Sequence, residues 1–193
     1  SCFFIKKDIL DHFKNVDSKN ITVIPEGVDL KAFSKKTGFS AEPEYNIPSK
    51  YLFMPAQLWK HKNHLTVLKA LKILQNQGIH IPLVLCGEKF SSSEEIFDYI
   101  KINNMNNIYY LGKVPFEDLI KLYHNAFYLI TAVLYESSSL PVLEAAVAGL
   151  PIIASKTPPN QETSQHLMLD LFEPTNSKEL SILIDKAFNV RKK

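Results

Sequence analysis

Glycine is scarce in this chain, six in 193 residues, and no G-x-G-x-x-G occurs anywhere. Backbone approach to a dinucleotide pyrophosphate normally needs those glycines, which argues against an NAD or FAD site of the fingerprint type. Cysteine is scarcer still, and Cys2 and Cys86 form no spaced framework. Cys86 ends an apolar run and reads as a buried thiol, which points to a reducing compartment. No apolar run approaches the roughly 20 residues that span a bilayer. No signal peptide is visible, although the chain need not start where its gene does. A net charge of +2 leaves no electrostatic footprint for nucleic acid or for bulk membrane binding. His61 and His64 are a close pair without a third or fourth ligand, so no metal is expected there. Internal repeats and low-complexity tracts are absent as well.

What is present is ordinary globular composition. Hydrophobic residues make up 46% of the chain and charged residues 22%, enough for one domain with a full core. Apolar runs recur at 51–56, 81–86, 107–111, 127–134, 151–154 and 168–172. Most are apolar throughout rather than alternating, as in parallel strands covered on both faces. Helical patterns lie between them. Leu65, Leu68, Leu71 and Leu74 mark one, stopped by Gly78. Ser92 and Glu95 have capping-box spacing for the next, and Leu119, Leu122 and Tyr123 mark a third. Ser177 is placed to cap the last, which carries Leu180, Leu183, Ile184 and Phe188. This alternation predicts an α/β fold, a Rossmann-like doubly wound and mostly parallel sheet. Upstream, Ile5, Ile9 and Phe13 predict an amphipathic helix over 1–14, followed by a polar break and a strand at 21–24. Residues 31–49, with Pro43 and Pro48, predict an irregular surface connection.

Ligands of such sheets bind beyond the carboxyl ends of the strands. The richest stretch there is 135–155, YESSSLPVLEAAVAGLPIIAS. It passes through Ser137, Ser138 and Ser139 and enters a helix at Leu140-Pro141, where proline is tolerated only in the first turn. Gly149 closes that helix and Pro151 starts the next run. A small-residue turn at a helix N-terminus is a ready anion site, because unpaired N–H groups and the positive end of the helix dipole converge there. Glu136 precedes the helix and Glu144 lies about one turn inside it. An ionised carboxylate only accepts hydrogen bonds, so it suits ribose hydroxyls rather than phosphate. The constellation is nucleotide-shaped.

Glu136 and Glu144 with seven residues between them, together with Leu140-Pro141, Ala145, Gly149, Pro151 and Ala154-Ser155, resemble the E-x7-E signature of family 4 glycosyltransferases. The resemblance covers most of residues 20–190. It implies half of a GT-B architecture, the C-terminal domain that binds a nucleotide-diphosphate sugar, with no cofactor beyond that donor. The family's phosphate loop supplies an Arg in G-R-L and a Lys a few residues later. Lys62 matches the lysine. Gln57 stands at the Arg position and loses both the charge and the bidentate fork, with Lys60 and His61 as candidates to make up part of it. Gly87-Glu88-Lys89 resembles the V-G-x-G turn without its second glycine. Leu111-Gly112-Lys113-Val114 resembles the F-L-G-x-V turn whose backbone holds the nucleobase, which implies base contacts at Lys113 and Val114 and leaves UDP and GDP both open. Ser138, Ser139 and Leu140 replace the family's Gly-Phe-Gly as the implied phosphate cradle. Lys62 and Glu136 are the implied catalytic residues, Glu136 positioning the sugar and stabilising charge rather than attacking. Glu144 is implied at the ribose, with Gln57 and Gly87 completing the donor contacts.

Members of that family are usually metal-independent and retaining, and no D-x-D motif lies near these loops. A cationic side chain and a helix N-terminus would then stabilise the departing diphosphate. Pro25-Glu26-Gly27-Val28-Asp29 resembles the P-N-G-V-D segment that opens the donor domain. Residues 1–20 are therefore expected to be a helix and linker that end an acceptor domain, and 21–193 the nucleotide-sugar-binding domain. The implied whole is a retaining hexosyltransferase of cell-envelope polysaccharide synthesis, cytoplasmic and peripheral to the inner face of the membrane. Its acceptor, a glycan or lipid-linked molecule, would be held by the other domain, so this portion alone would bind donor without turnover. Two rivals keep the fold: a non-catalytic nucleotide-sugar-binding module, to which Gln57 points, and another GT-B enzyme such as a sugar epimerase or phosphorylase.

Overall fold

The apolar runs extend into strands because their side chains find cover on both faces. A computed structural model describes residues 2–34 and 45–190. Two helices, α1 (Phe3–His12) and α2 (Leu30–Ser34), precede the sheet. Then follow β1 (Leu52–Pro55), α3 (His64–Asn76), β2 (Leu83–Cys86), α4 (Ser93–Ile102), β3 (Ile108–Tyr110) and α5 (Phe116–Asn125). The second half holds β4 (Tyr128–Thr131), α6 (Leu140–Val147), β5 (Ile152–Ser155), α7 (Pro158–Thr163), β6 (Leu169–Phe172) and α8 (Ser177–Val190). All neighbouring strands pair in parallel, in the order β3-β2-β1-β4-β5-β6.

The two-residue period of a strand divides each apolar run between two cores. Leu52 and Met54 of β1, Leu83 and Leu85 of β2, Ile130 and Ile153 face Leu68, Leu71 and Leu74 of α3, Ile96 of α4, and Leu180 and Ile184 of α8. The intervening Phe53, Val84, Cys86, Leu129, Ile152 and Ala154 face Phe33 of α2, Leu122 and Tyr123 of α5, and Val142 and Ala145 of α6. Gly149, at φ +70°, lets the chain leave α6 and turn directly into β5. From β1 the chain builds outward to β3, then returns to the other side of β1 to lay down β4. That reversal is the topological switch point at which such sheets open a crevice.

Several local expectations give way. Residues 21–24 are extended but join no strand; the Lys6 ammonium, not a neighbouring strand, donates to the Ile21 carbonyl at 2.7 Å. The Ser92–Glu95 capping box does not form, because Ser92 has turn dihedrals, φ −102° and ψ 5°. The Ser93 hydroxyl instead accepts from the Phe90 N–H at 2.8 Å. Asn176 rather than Ser177 caps α8, its Oδ1 accepting from the Glu179 N–H at 3.1 Å. α2 occupies the first residues of the stretch read as an irregular connection; residues 35–44 of that stretch lie outside the described ones. α7 is too short to show a helical period. α1 buries none of its residues, and its N-terminus is held by Glu162 of α7, whose carboxylate accepts from the Phe3 and Phe4 N–H groups at 3.0 and 3.1 Å.

Candidate functional site

The loops after β1 and β4 part at the switch point and are stitched back together by specific bonds. Asn63, just before α3, adopts left-handed dihedrals, φ 57° and ψ 40°. Its amide donates to the Ala132 carbonyl at 2.9 Å and to the Pro174 carbonyl at 2.8 Å, and its Oδ1 accepts from the Thr66 hydroxyl at 2.8 Å. The Leu134 N–H donates to the His61 carbonyl at 2.8 Å, and the His61 ring stacks on Tyr135 with centroids 5.1 Å apart. These contacts carry Lys62 to Glu136, 74 positions on, where Nζ lies 3.0 Å from Oε2. The pair is mostly sheltered, with side chains 23% and 9% exposed. A partly buried ion pair of this kind is costly to break from one side only, because the other charge is left without a partner.

Around that pair lie polar atoms that nothing among the described residues satisfies. Oε1 of Glu136 and the hydroxyls of Ser138 and Ser139 are buried without hydrogen-bond partners. Such atoms are rare in native proteins and each calls for a reason. Ser139 sits at the N-cap of α6 in extended conformation, yet its side chain caps nothing, and Pro141 occupies the first turn. At the start of α6 Pro141 has no N–H, and the Val142 and Leu143 N–H groups turn to the Ser139 carbonyl at 3.1 and 3.3 Å. The positive helix end, two spare hydroxyls and one ammonium remain, a combination suited to an anion.

Glu144 stands farther along α6, half-buried. The Tyr123 hydroxyl donates to its Oε2 at 2.6 Å. Burial raises the Glu144 carboxyl above the usual glutamate range, and the Tyr123 bond pulls it part of the way back. Tyr123 itself is fully buried. The sequence marks it only as a core position of α5, since nothing local tells that its hydroxyl reaches α6. Asn63 is likewise missed. Its signal, a lone asparagine just ahead of an apolar helix, does not say which distant carbonyls it serves.

The remaining predicted residues are spread along the neighbouring loops. Gln57 is exposed, and its Oε1 accepts from the Trp59 indole N–H at 2.8 Å, while Trp59 stacks on Phe90 at 4.0 Å. Gly87, at φ +144°, lets the β1 and β2 loops touch; a Cβ there would lie 2.4 Å from the Ala56 carbonyl oxygen. Its N–H donates to the Gly112 carbonyl at 2.8 Å and its carbonyl accepts from the Tyr110 hydroxyl at 2.8 Å, so its backbone already serves the scaffold. Lys113 is exposed and pairs with Glu88 at 3.0 Å. Val114 packs on the core beneath α5 and α6. Leu140 is exposed at the start of α6. Lys62, Glu136, Ser138, Ser139, Leu140 and Glu144 therefore gather along the approach to α6 and its first turns. Gln57, Gly87, Lys113 and Val114 line the loops after β1, β2 and β3.

His64 is buried, and neither ring nitrogen has a hydrogen-bond partner; the Ala56 carbonyl faces the ring outside good hydrogen-bond geometry. Burial pushes its pKa down to about 4, so the ring is neutral. A broad concavity of about 790 Å³, lined by residues including Tyr128, Leu150, His166 and Met168, opens near the starts of β4, β5 and β6 and includes none of the predicted residues. Its volume does not make it the better site, because the unsatisfied polar atoms converge at the opposite end of the strands. Among the described residues no group of three or more His, Cys, Asp or Glu comes together, and no helix is long and apolar enough to cross a membrane.

The profile of the family described as glycosyl transferases group 1 matches residues 38–193. The O-antigen chain mannosyltransferase RfbU of Salmonella typhimurium strain LT2 is 26% identical over 152 residues, which span 79% of this chain and 40% of the relative. A glycosyltransferase from Rickettsia africae superposes with a TM-score of 0.80 at 23% identity, over 98% of this chain and 52% of the other. Anabaena Alr3699/HepE, solved in complex with UDP and glucose, gives a TM-score of 0.80 at 16% identity, over 97% and 52% of the respective chains. The chain thus spans about half the length of these proteins or less.

Proposed function

The chain belongs to the glycosyl transferases group 1 family, and from that premise we propose that it is the nucleotide-sugar-binding domain of a retaining family 4 hexosyltransferase. The observation that carries this reading is the convergence at the switch point of Lys62, Glu136 and the uncapped start of α6, with unpartnered oxygens on Glu136, Ser138 and Ser139. A donor diphosphate placed there meets the positive end of α6, the two hydroxyls and the Lys62 ammonium. Charge grows on that diphosphate as its bond to the sugar breaks. Fixed donors already aimed at it stabilise the transition state without reorganisation. Lys62 leans on Glu136, so the ammonium is held in place beforehand. Glu136 retains a spare oxygen for a hydroxyl of the sugar, and Glu144 accepts from the ribose. The turn at Leu111, Gly112, Lys113 and Val114 takes the base. In this reading no metal is required at the diphosphate.

Residues 1–20 belong with a second, acceptor-binding domain. Supporting this, no residue of α1 is fully buried, and Phe3 at its start and Phe13 just past its end are 69% and 61% exposed, as expected of apolar side chains whose partner lies elsewhere. The acceptor in the intact enzyme is a glycan or lipid-linked molecule of the cell envelope, met at the inner face of the membrane. Binding without turnover is the second reading, favoured by Gln57 at the position where the family carries an arginine.

Calorimetric titration with UDP and GDP tests the assignment. Lys62→Ala should weaken the better diphosphate about ten- to a hundredfold, the worth of one hydrogen bond to a charged group, and leave the free nucleoside nearly unaffected. Equal weakening of both would overturn the phosphate role of Lys62. Addition of EDTA should change nothing; binding lost with EDTA and restored by Mg²⁺ or Mn²⁺ would overturn metal independence. Turnover of a nucleotide sugar by the intact protein separates the two readings.

A further inference from the structure

We propose that Tyr123 is a positioning residue for Glu144, its hydroxyl fixing one carboxylate oxygen so that the other is presented to the vicinal hydroxyls of a ribose. The proposal rests on the reading of Glu144 as the ribose acceptor. Its geometry is specific. Tyr123 is fully buried, and its ring is held edge-on between Phe33 at 5.4 Å and Phe53 at 5.1 Å. A ring so clamped delivers its hydroxyl to one place, Oε2 of Glu144 at 2.6 Å.

Satisfying a buried phenol does not require a carboxylate. Tyr51, equally buried, donates to a backbone carbonyl, that of Leu122, at 2.9 Å. Tyr123 spends its hydrogen bond on a side chain that would otherwise swing about its own torsions. The Glu144 carboxylate gives Tyr123 only Oε2 and makes no other hydrogen bond among the described residues. Holding an acceptor in its bound orientation lowers the ordering cost of binding.

The surroundings make the device readable by pH. The titratable groups facing Glu144 among the described residues are Tyr123 from α5 and Cys86 from β2. α2, β4 and β5 also pack on α6 and place no charged group among its electrostatic partners. Burial pushes the Cys86 thiol up to about 12 and Tyr123 well above the ordinary tyrosine value. Glu144 is thus the member of this group that loses its proton first as pH rises. Deleting the Tyr123 hydroxyl removes the bond that holds its pKa down.

The test is Tyr123→Phe, which keeps the ring and both edge contacts, titrated with UDP or GDP and with the matching 2′,3′-dideoxy nucleotide. Ribonucleotide affinity should fall about tenfold, one hydrogen bond to a charged group, and dideoxy affinity should stay put. The pH midpoint of ribonucleotide binding should move up. Equal weakening of both nucleotides, or no change in affinity and midpoint, overturns the positioning role. Glu144→Gln separates the two claims. If it binds ribonucleotide like the wild type, the ribose reading itself falls; if it weakens binding while Tyr123→Phe does not, only the positioning role falls. In the wild type, the carbon-13 resonance of the Tyr123 hydroxyl-bearing carbon should shift with the ribonucleotide and not with the dideoxy analogue. An unmoved resonance with both overturns the proposal without any variant.

Discussion

The loops after β1, β2 and β3 and the loop after β4 end at the same edge of the sheet, yet they handle polar groups in opposite ways. In the first set the backbone satisfies itself. The Ala56 N–H donates to Cys86, Leu58 to Glu88 and Gly87 to Gly112, all within 2.8–3.0 Å. In the second, a carboxylate oxygen and two hydroxyls are buried with no hydrogen-bond partner among the described residues. Folding alone accounts for the first arrangement. The second costs stability and is kept where a ligand recovers the cost. The loops laced by backbone bonds serve the scaffold first, while the loop after β4 keeps buried side-chain oxygens unbonded among the described residues, although both lie at carboxyl ends of parallel strands.

The comparison breaks first at Gly87. A side chain there must take φ +144° and meet the Ala56 carbonyl at 2.4 Å. Gly87→Ala should therefore cost about 3–5 kcal/mol, among the larger single-substitution effects, read as a lower denaturant midpoint. A midpoint near the wild type would mean that the laced loops yield easily and are not scaffold. Ser138 and Ser139 probe the other half. Replacing both with Ala removes buried hydroxyls that make no bond, so the thermal midpoint should hold or rise. Diphosphate affinity should fall by about 1 kcal/mol for each hydrogen bond lost. A falling midpoint with unchanged affinity would reverse the roles assigned to the two halves.

The smallest effect concerns Glu144 and stability. Its folded pKa is raised by burial, so between the unfolded and folded values the folded state binds more protons than the unfolded one. Stability then declines as pH rises through that window, and ionised Glu144 is a cost above it. Glu144→Gln should melt slightly higher than the wild type at neutral pH, with the difference vanishing in acid. A variant that melts lower at neutral pH would show that the carboxylate stabilises the fold.

Much of the architecture was legible because the strands are apolar on both faces and the helices between them are periodic. The six runs sit within a residue or two of β1–β6, apart from the longer 127–134, which is trimmed to Tyr128–Thr131. Caps were read less well. Ser92 and Ser177 have the right chemistry, but Ser92 meets the start of α4 with turn dihedrals and α8 is capped one residue earlier, by Asn176, and spacing alone fixes neither. Residues 21–24 are apolar enough for a strand, yet form none. In the candidate site, local pattern singled out Lys62, Glu136, Ser138, Ser139 and Glu144 as candidates, because a helix start announces itself. It could not say that Lys62 and Glu136 bond to each other, since that contact joins positions 74 apart. Tyr123 was hidden for the same reason, its hydroxyl meeting a residue 21 positions away.

Asn63 shows how one position narrows what the chain can become. Its dihedrals alone would welcome glycine, but Asn63→Gly strands the Ala132 and Pro174 carbonyls that its amide serves. Asn63→Asp keeps the acceptor for Thr66 and loses both donors. No single replacement supplies the left-handed backbone, the two donors and the acceptor together. Drift at this corner has to travel through paired changes in loops 69 and 111 positions away. The segment carrying Lys62 is thereby yoked to the chain's second half, and its history is tied to theirs.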